Sequence, residues 1–213
     1  MNHVAKIYRD AFLFLLTIGL SSCVDRSNQD HTENENAEQW TDARIDATIS
    51  SDSVFSRLNR QKELFSILDR LEEDSLALRS SDVSYHSGLK LDLSDTAYAK
   101  FNNCRAYYLQ SDTLLIDIGS NEGFGGYGFV INYKNRKFYT EPYLYSDIPR
   151  SDGEPWPAYE IIYQTLTLDK PVYAVGDSLY GNIEFVSIET NEGRIIKHFG
   201  KGHFRAKVLK QKY

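Results

Sequence analysis

Four patterns of hydrophobic and polar residues follow one another along the chain. Ala11 to Leu20 (AFLFLLTIGL) form a nearly uninterrupted apolar run of ten. As a helix this run extends roughly 15 Å, about half of a ~30 Å hydrocarbon core. It is too short for a comfortable transmembrane anchor and suits the apolar region of an export signal. Residues 24–53 are polar and nearly free of apolar side chains until Trp40. Such a stretch buries too little to offset its ordering entropy, which predicts a flexible leash over 23–52.

The third pattern is helical. Leu64, Leu68, Leu71 and Leu78 repeat on one face, with Leu58 and Phe65 beside them and no Gly or Pro between. Ser51, Asp52 and Ser53 offer N-cap oxygens. The spacing predicts one amphipathic helix over 53–80, with Arg57, Arg60, Lys62, Glu63, Asp69 and Arg70 toward water. The stripe reads as a packing face against the rest of the domain. Ser75 interrupts the seam that a coiled coil would need.

From about residue 81 the period changes to two, and fourteen of the fifteen tyrosines lie in this part. Thr113 to Ile118, Tyr127 to Tyr133 and Lys137 to Leu144 read as strands, the last two joined by the turn Lys134-Asn135-Arg136. Glu160 to Leu168, Ser178 to Glu189 and Arg194 to Leu209 read as more, the last two joined through Thr190-Asn191-Glu192-Gly193. Seven or more strands with no helix between them exclude a parallel βαβ architecture. The pattern predicts a mainly β domain over 81–213, an antiparallel β-sandwich, immunoglobulin-like or barrel-like, preceded by the one helix.

The residues just behind the apolar run are Leu20-Ser21-Ser22-Cys23, and Lys6 and Arg9 precede it. This tetrapeptide resembles the lipobox of bacterial lipoproteins. The resemblance implies that residues 1–22 are a removed signal peptide. It also implies that Cys23 carries the lipid and that the protein's membrane contact is that anchor. Several acyl chains, each contributing about 0.8 kcal/mol per buried CH₂, make release slow. Val24 follows the cysteine, with Asp25 one later. In the sorting rule of that class this favours the outer over the inner membrane of a bacterial envelope. With Cys23 lipidated, Cys104 has no intrachain partner and reads as a buried structural thiol.

Charge adds little to function. The net charge of −6 is concentrated in 24–53, where eight acids face Arg26 and Arg44. Arg194 to Tyr213 carries seven Lys or Arg and no acid. The acidic balance and an exported location disfavour nucleic acid.

Candidate chemistry is sparse. Gly123-Phe124-Gly125-Gly126-Tyr127-Gly128-Phe129-Val130 fits G-x-G-x-x-G, but it runs into a strand instead of the helix a pyrophosphate needs. The partner motifs of a kinase are missing. The glycines therefore read as a hairpin or bulge with close backbone approach. His86, His198 and His203 with an acid could bind zinc, but Lys197, Lys201 and Arg205 would oppose a cation. No metal site or cofactor is predicted. The loop Ser146 to Pro157 holds Asp147, Asp152 and Glu154, the acids available to a hydrolase. It also holds Trp156, which reads as a plug on the domain edge or as a ligand contact beside Tyr143 and Tyr145.

Leu166 to Gly181 (LTLDKPVYAVGDSLYG) resembles an edge of immunoglobulin-like sandwich domains in exported bacterial proteins. The run from Gly200 to Val208 is similar to the last strand of β-rich envelope lipoproteins. Neither resemblance implies catalytic residues. The polar groups that catalysis needs do not cluster, and tyrosine-rich sheets make good contact faces. The expectation is a lipid-anchored, non-enzymatic binding or structural module whose partner is protein or glycan. The alternatives are an envelope hydrolase using the loop carboxylates and an immunity lipoprotein neutralising a toxin.

Overall fold

The computed structural model describes residues 39–63, 78–89, 103–109, 112–121, 125–146, 156–191 and 193–210. These belong to one compact unit that begins at Gln39. The chain is mainly β. In order it forms β1 (Thr41–Asp42), β2 (Arg44–Ile45), a 3-10 turn (Ile49–Ser51), α1 (Ser53–Leu58), β3 (Ser84–Gly88), β4 (Asn103–Leu109) and β5 (Thr113–Asn121). It continues through β6 (Gly125–Lys134), β7 (Lys137–Ser146), β8 (Ala158–Leu168), β9 (Ser178–Asn191) and β10 (Arg194–Leu209). All ten strands form one sheet in the order β1-β7-β6-β5-β4-β10-β9-β8-β2, with β3 also on β10.

The alternation read from the sequence is the alternation of burial. In β9, Leu179, Gly181, Ile183, Phe185, Ser187 and Glu189 are buried while the residues between them are not. Phe129, Phe185 and Tyr85 pack at the centre of the core, with ring centroids 4.7 Å apart for the first two and 5.3 Å for Tyr85 and Phe129. At the β6–β7 turn, Asn135 and Arg136 both take positive φ, 53° and 65°. This is the twist a two-residue hairpin demands.

Three expectations are corrected. The leash does not run to residue 52: β1 pairs with β7, β2 pairs with β8, and Ala43 is buried with its N–H on the Arg136 carbonyl at 2.8 Å. Gln164 on β8 secures this segment by donating to the Gln39 carbonyl and to Thr41 Oγ1 while accepting from the Thr140 N–H of β7. Thus β1 and β2, consecutive in the chain, occupy the two ends of the strand order.

Second, the helix that starts at residue 53 ends at Leu58 instead of continuing to 80. Its Asp52 cap forms, accepting from the Val54 N–H at 2.9 Å, and Val54, Phe55 and Leu58 bury against Tyr180. The chain then turns, Lys62 bridges Leu78 as in an antiparallel ladder, and Glu63 is drawn onto Arg105. A helix this short depends on tertiary packing, and that packing decides where it stops. Leu64, Leu68 and Leu71 lie outside the described residues; Leu78 is exposed instead of packed.

Third, the pairing is not purely antiparallel. β2 runs parallel to β8, and the end of β10 runs parallel to β4 through Val208–Ala106 and Leu209–Tyr107. These pairs join segments far apart in sequence, so the crossover rule that excludes βαβ units does not bear on them. Among the described residues no helix is long and apolar enough to cross a membrane.

Candidate functional site

The pairing of β4 to β7 sets side chains in rows across four strands, because residues directly opposite in an antiparallel ladder share a face. One row is Arg105, Asp117, Val130 and Glu141. The row on one side is Asn103, Gly119, Gly128 and Tyr143; on the other it is Tyr107, Leu115, Asn132 and Tyr139. The opposite face of these strands carries Ile116, Ile118, Phe129 and Ile131, all fully buried. One side of the sheet is therefore core. The other collects two carboxyl groups, a guanidinium, two amides and tyrosine rings.

The two glycines of the middle strands shape this face. A Cβ on Gly119 would lie 2.5 Å from the Tyr143 hydroxyl, and one on Gly128 would lie 2.4 Å from the Ile118 carbonyl oxygen. Their bare backbones let the Tyr143 ring reach from β7 across β6, where its hydroxyl donates to Asp117 Oδ1 at 2.8 Å. The G-x-G-x-x-G match thus ends in a strand residue with a packing task.

Charge on the face is held unevenly. Burial pushes the Asp117 carboxyl above the usual carboxylate range, against the pull of Tyr143 and Arg105. Glu141 stays exposed, but desolvation by the side chains crowded around it raises its carboxyl, opposed by a hydrogen bond with Asn132. The Tyr139 phenol is pushed up to about 12, first by burial and then by Glu141. Arg105 forms a two-pronged pair with Glu63, at 2.6 and 2.8 Å. Ser80 Oγ donates to the same carboxylate and accepts from the Cys104 N–H. Trp40 packs edge-on against Tyr139 at 4.8 Å and extends the aromatic border.

A second polar group lies inside the sheet. The Tyr85 hydroxyl is 2.9 Å from His198 Nδ1, and His198 Nε2 is 3.1 Å from Glu189 Oε2. All three side chains are buried. Burial lowers the basicity of His198, opposed by Glu189. A neutral imidazole with its proton on Nε2 fits both contacts: it donates to the Glu189 carboxylate and accepts from the Tyr85 hydroxyl.

The residues singled out from the sequence are scattered. Tyr143 is half-buried and engaged with Asp117, so it is part of the face's framework. Tyr145 lies on β7 opposite Gly126. Trp156 is 83% exposed, which overturns its reading as a plug and leaves it as a surface aromatic. Cys23, Asp147, Asp152 and Glu154 lie outside the described residues. The three histidines do not converge. His86 is in register with Phe199 and so faces away from His198, while His203 sits 3.6 Å from Asp52 on another part of the surface. Among the described residues no group of His, Cys, Asp and Glu converges as a metal ion would need. Cys104 is buried, as expected of a structural thiol, and burial pushes its pKa upward.

Asp117 and Glu141 were missed, although each sits at a polar position inside a predicted strand. An acid in mid-strand was the available signal; which acids share a row depends on register. No family model, curated protein or solved structure matches the chain.

Proposed function

We propose that the protein is a bacterial envelope lipoprotein, anchored through Cys23, that binds a glycan on the face formed by β4 to β7. The observation that carries the binding reading is the juxtaposition of three rows. Tyr107 and Tyr139 offer ring surface beside the exposed Glu141 carboxyl and Arg105, with Asp117 and Tyr143 half-buried between them. Sugars require this mixture, because their C–H faces stack on rings while their hydroxyls need dense donors and acceptors. The anchor reading rests on Leu20-Ser21-Ser22-Cys23 behind its apolar run. It places the module at the membrane without a spanning helix.

A hydrolase is the second reading, favoured by the raised carboxyls Asp117 and Glu141. They stand on strands two apart, roughly 10 Å between backbones, near the range used by inverting glycosidases. Binding is the reading we favour because the groups around Asp117 are already committed: Tyr143 holds its carboxyl at 2.8 Å, and Arg105 is paired with Glu63.

Two measurements test the proposal. Cys23→Ala is expected to abolish acyl labelling and detergent-phase partitioning, and unchanged partitioning would refute the anchor. Co-sedimentation with insoluble envelope polysaccharide is expected to weaken roughly tenfold in Tyr107→Ala and in Glu141→Ala. Equal sedimentation of both variants and the parent refutes the site. Release of reducing ends during the assay would move the assignment to hydrolase.

A further inference from the structure

At the end of the sheet where β6 turns into β7 there is a concavity, separate from the face described above. Its volume is about 330 Å³, at the lower end of the range of small-ligand sites. Its walls are the Tyr108 and Tyr133 rings, Leu114, and Pro171 with Val172. Both phenols are committed to the backbone: Tyr108 donates to the Tyr173 carbonyl and Tyr133 to the Pro171 carbonyl, each at 2.7 Å. The rings therefore present apolar surface. Val172 is 73% exposed at the rim and leaves apolar surface open to a ligand.

The charges in the concavity do not balance. Lys134 is neutralised by Asp112 at 2.6 Å. The Arg136 guanidinium, which also lines it, forms no hydrogen bond or ion pair with the side chains of the described residues. Arg136 also occupies a position that its type disfavours. Its φ of 65° lies in the left-handed region, and the second residue of such a two-residue turn is ordinarily glycine. The backbone there is held in place by the Ala43 N–H on the Arg136 carbonyl and by β1 against β7. The turn is thus imposed by its surroundings, and the arginine brings strain without a partner that offsets it. Backbone strain of this kind concentrates where a side chain has a ligand to meet.

We infer that this concavity is a binding site for a small monoanionic ligand, a carboxylate on a flat apolar body, with Arg136 taking the carboxylate and Tyr108, Tyr133 and Val172 the body. A planar guanidinium suits a carboxylate because it donates two parallel hydrogen bonds. The one unmatched positive charge sets the ligand charge at one.

The test uses the purified full chain with three probes: benzoate, benzamide and inorganic phosphate. They separate charge with a ring, a ring without charge, and charge without a ring. Titration followed by amide NMR is expected to shift the Asn135, Arg136 and Val172 resonances with benzoate, and roughly tenfold more weakly with either other probe. Arg136→Gly is expected to raise the melting temperature, because it relieves the turn, while weakening benzoate roughly tenfold or more. Arg136→Lys is expected to retain part of the affinity. Three results would overturn the assignment: no shift of these amides at 20 mM benzoate, equal response to benzoate and benzamide, or unchanged benzoate affinity in Arg136→Gly. A lower melting temperature in that variant would remove the strain argument and the assignment with it.

Discussion

Replacing His198 by phenylalanine isolates what the interior polar group contributes. His198, Glu189 and Tyr85 are all buried, and the imidazole is the only described partner of the Glu189 carboxylate. Phenylalanine fills nearly the same space but offers neither the donor at 3.1 Å nor the acceptor at 2.9 Å. The Tyr85 hydroxyl also bonds to Ser87, so its loss is partly covered. Glu189 has no such cover. An orphaned buried polar group costs about 1–3 kcal/mol and a charged one more, and removing one member of a buried pair costs about 3–5 kcal/mol. The expected loss for His198→Phe is about 4 kcal/mol, a large share of the ~5–15 kcal/mol that holds a typical domain.

His198→Phe combined with Glu189→Leu removes both polar partners and should recover most of the loss, leaving a deficit of about 1–2 kcal/mol. Urea unfolding at pH 7.5, with the slope m checked for constancy, measures each variant. The reasoning is refuted if His198→Phe costs less than about 1 kcal/mol, or if the two substitutions simply add. The same group makes the parent sensitive to acid. Because burial lowers the His198 pKa in the folded state, the unfolded chain binds the proton more readily. Stability is therefore fully present above about pH 6.5 and is lost as pH falls toward the folded value.

Gly128→Ala drives a Cβ to 2.4 Å from the Ile118 carbonyl and 2.6 Å from the Gly119 Cα, both backbone atoms; thermal melts should show a loss of about 2–3 kcal/mol. Asp117→Asn should leave stability unchanged at low pH and raise it at neutral pH. The raised folded pKa means that the native carboxyl resists ionisation, so its stabilising contribution is lost as pH rises from about 3.8 through the folded value; pH-resolved urea melts check the sign. In the Cys23→Ala chain, Cys104 should resist maleimide in the native state and label fully in urea, since its thiol is buried and pushed up.

Much of the fold was legible along the chain, and much of the site was not. Period-two alternation is local, so the strands from 113 to 209 were readable from composition and spacing alone. The short strands at 41–45 and 84–88 were not, because a few residues carry too little pattern and pair only where distant strands receive them. The stripe of leucines argued for a long helix, but packing of Leu58 and the pull of Arg105 on Glu63 ended it after six residues. Mid-strand acids such as Asp117 and Glu141 look alike in sequence whether they face core or water, and alike whether they stand alone or in a row.

What the sequence determined by itself was therefore the material: a β-forming chain, tyrosines in strands, and a turn at 134–137. Tertiary structure alone decided the meeting of Arg105, Asp117 and Glu141, the burial of Tyr85 with Glu189 and His198, and the union of β1 and β2 with the two ends of the sheet. The physical reason is that side-chain direction repeats every two residues and is encoded locally, whereas strand register is chosen by the whole set of pairings. A shift of one residue in any strand would send each of these groups to the opposite face.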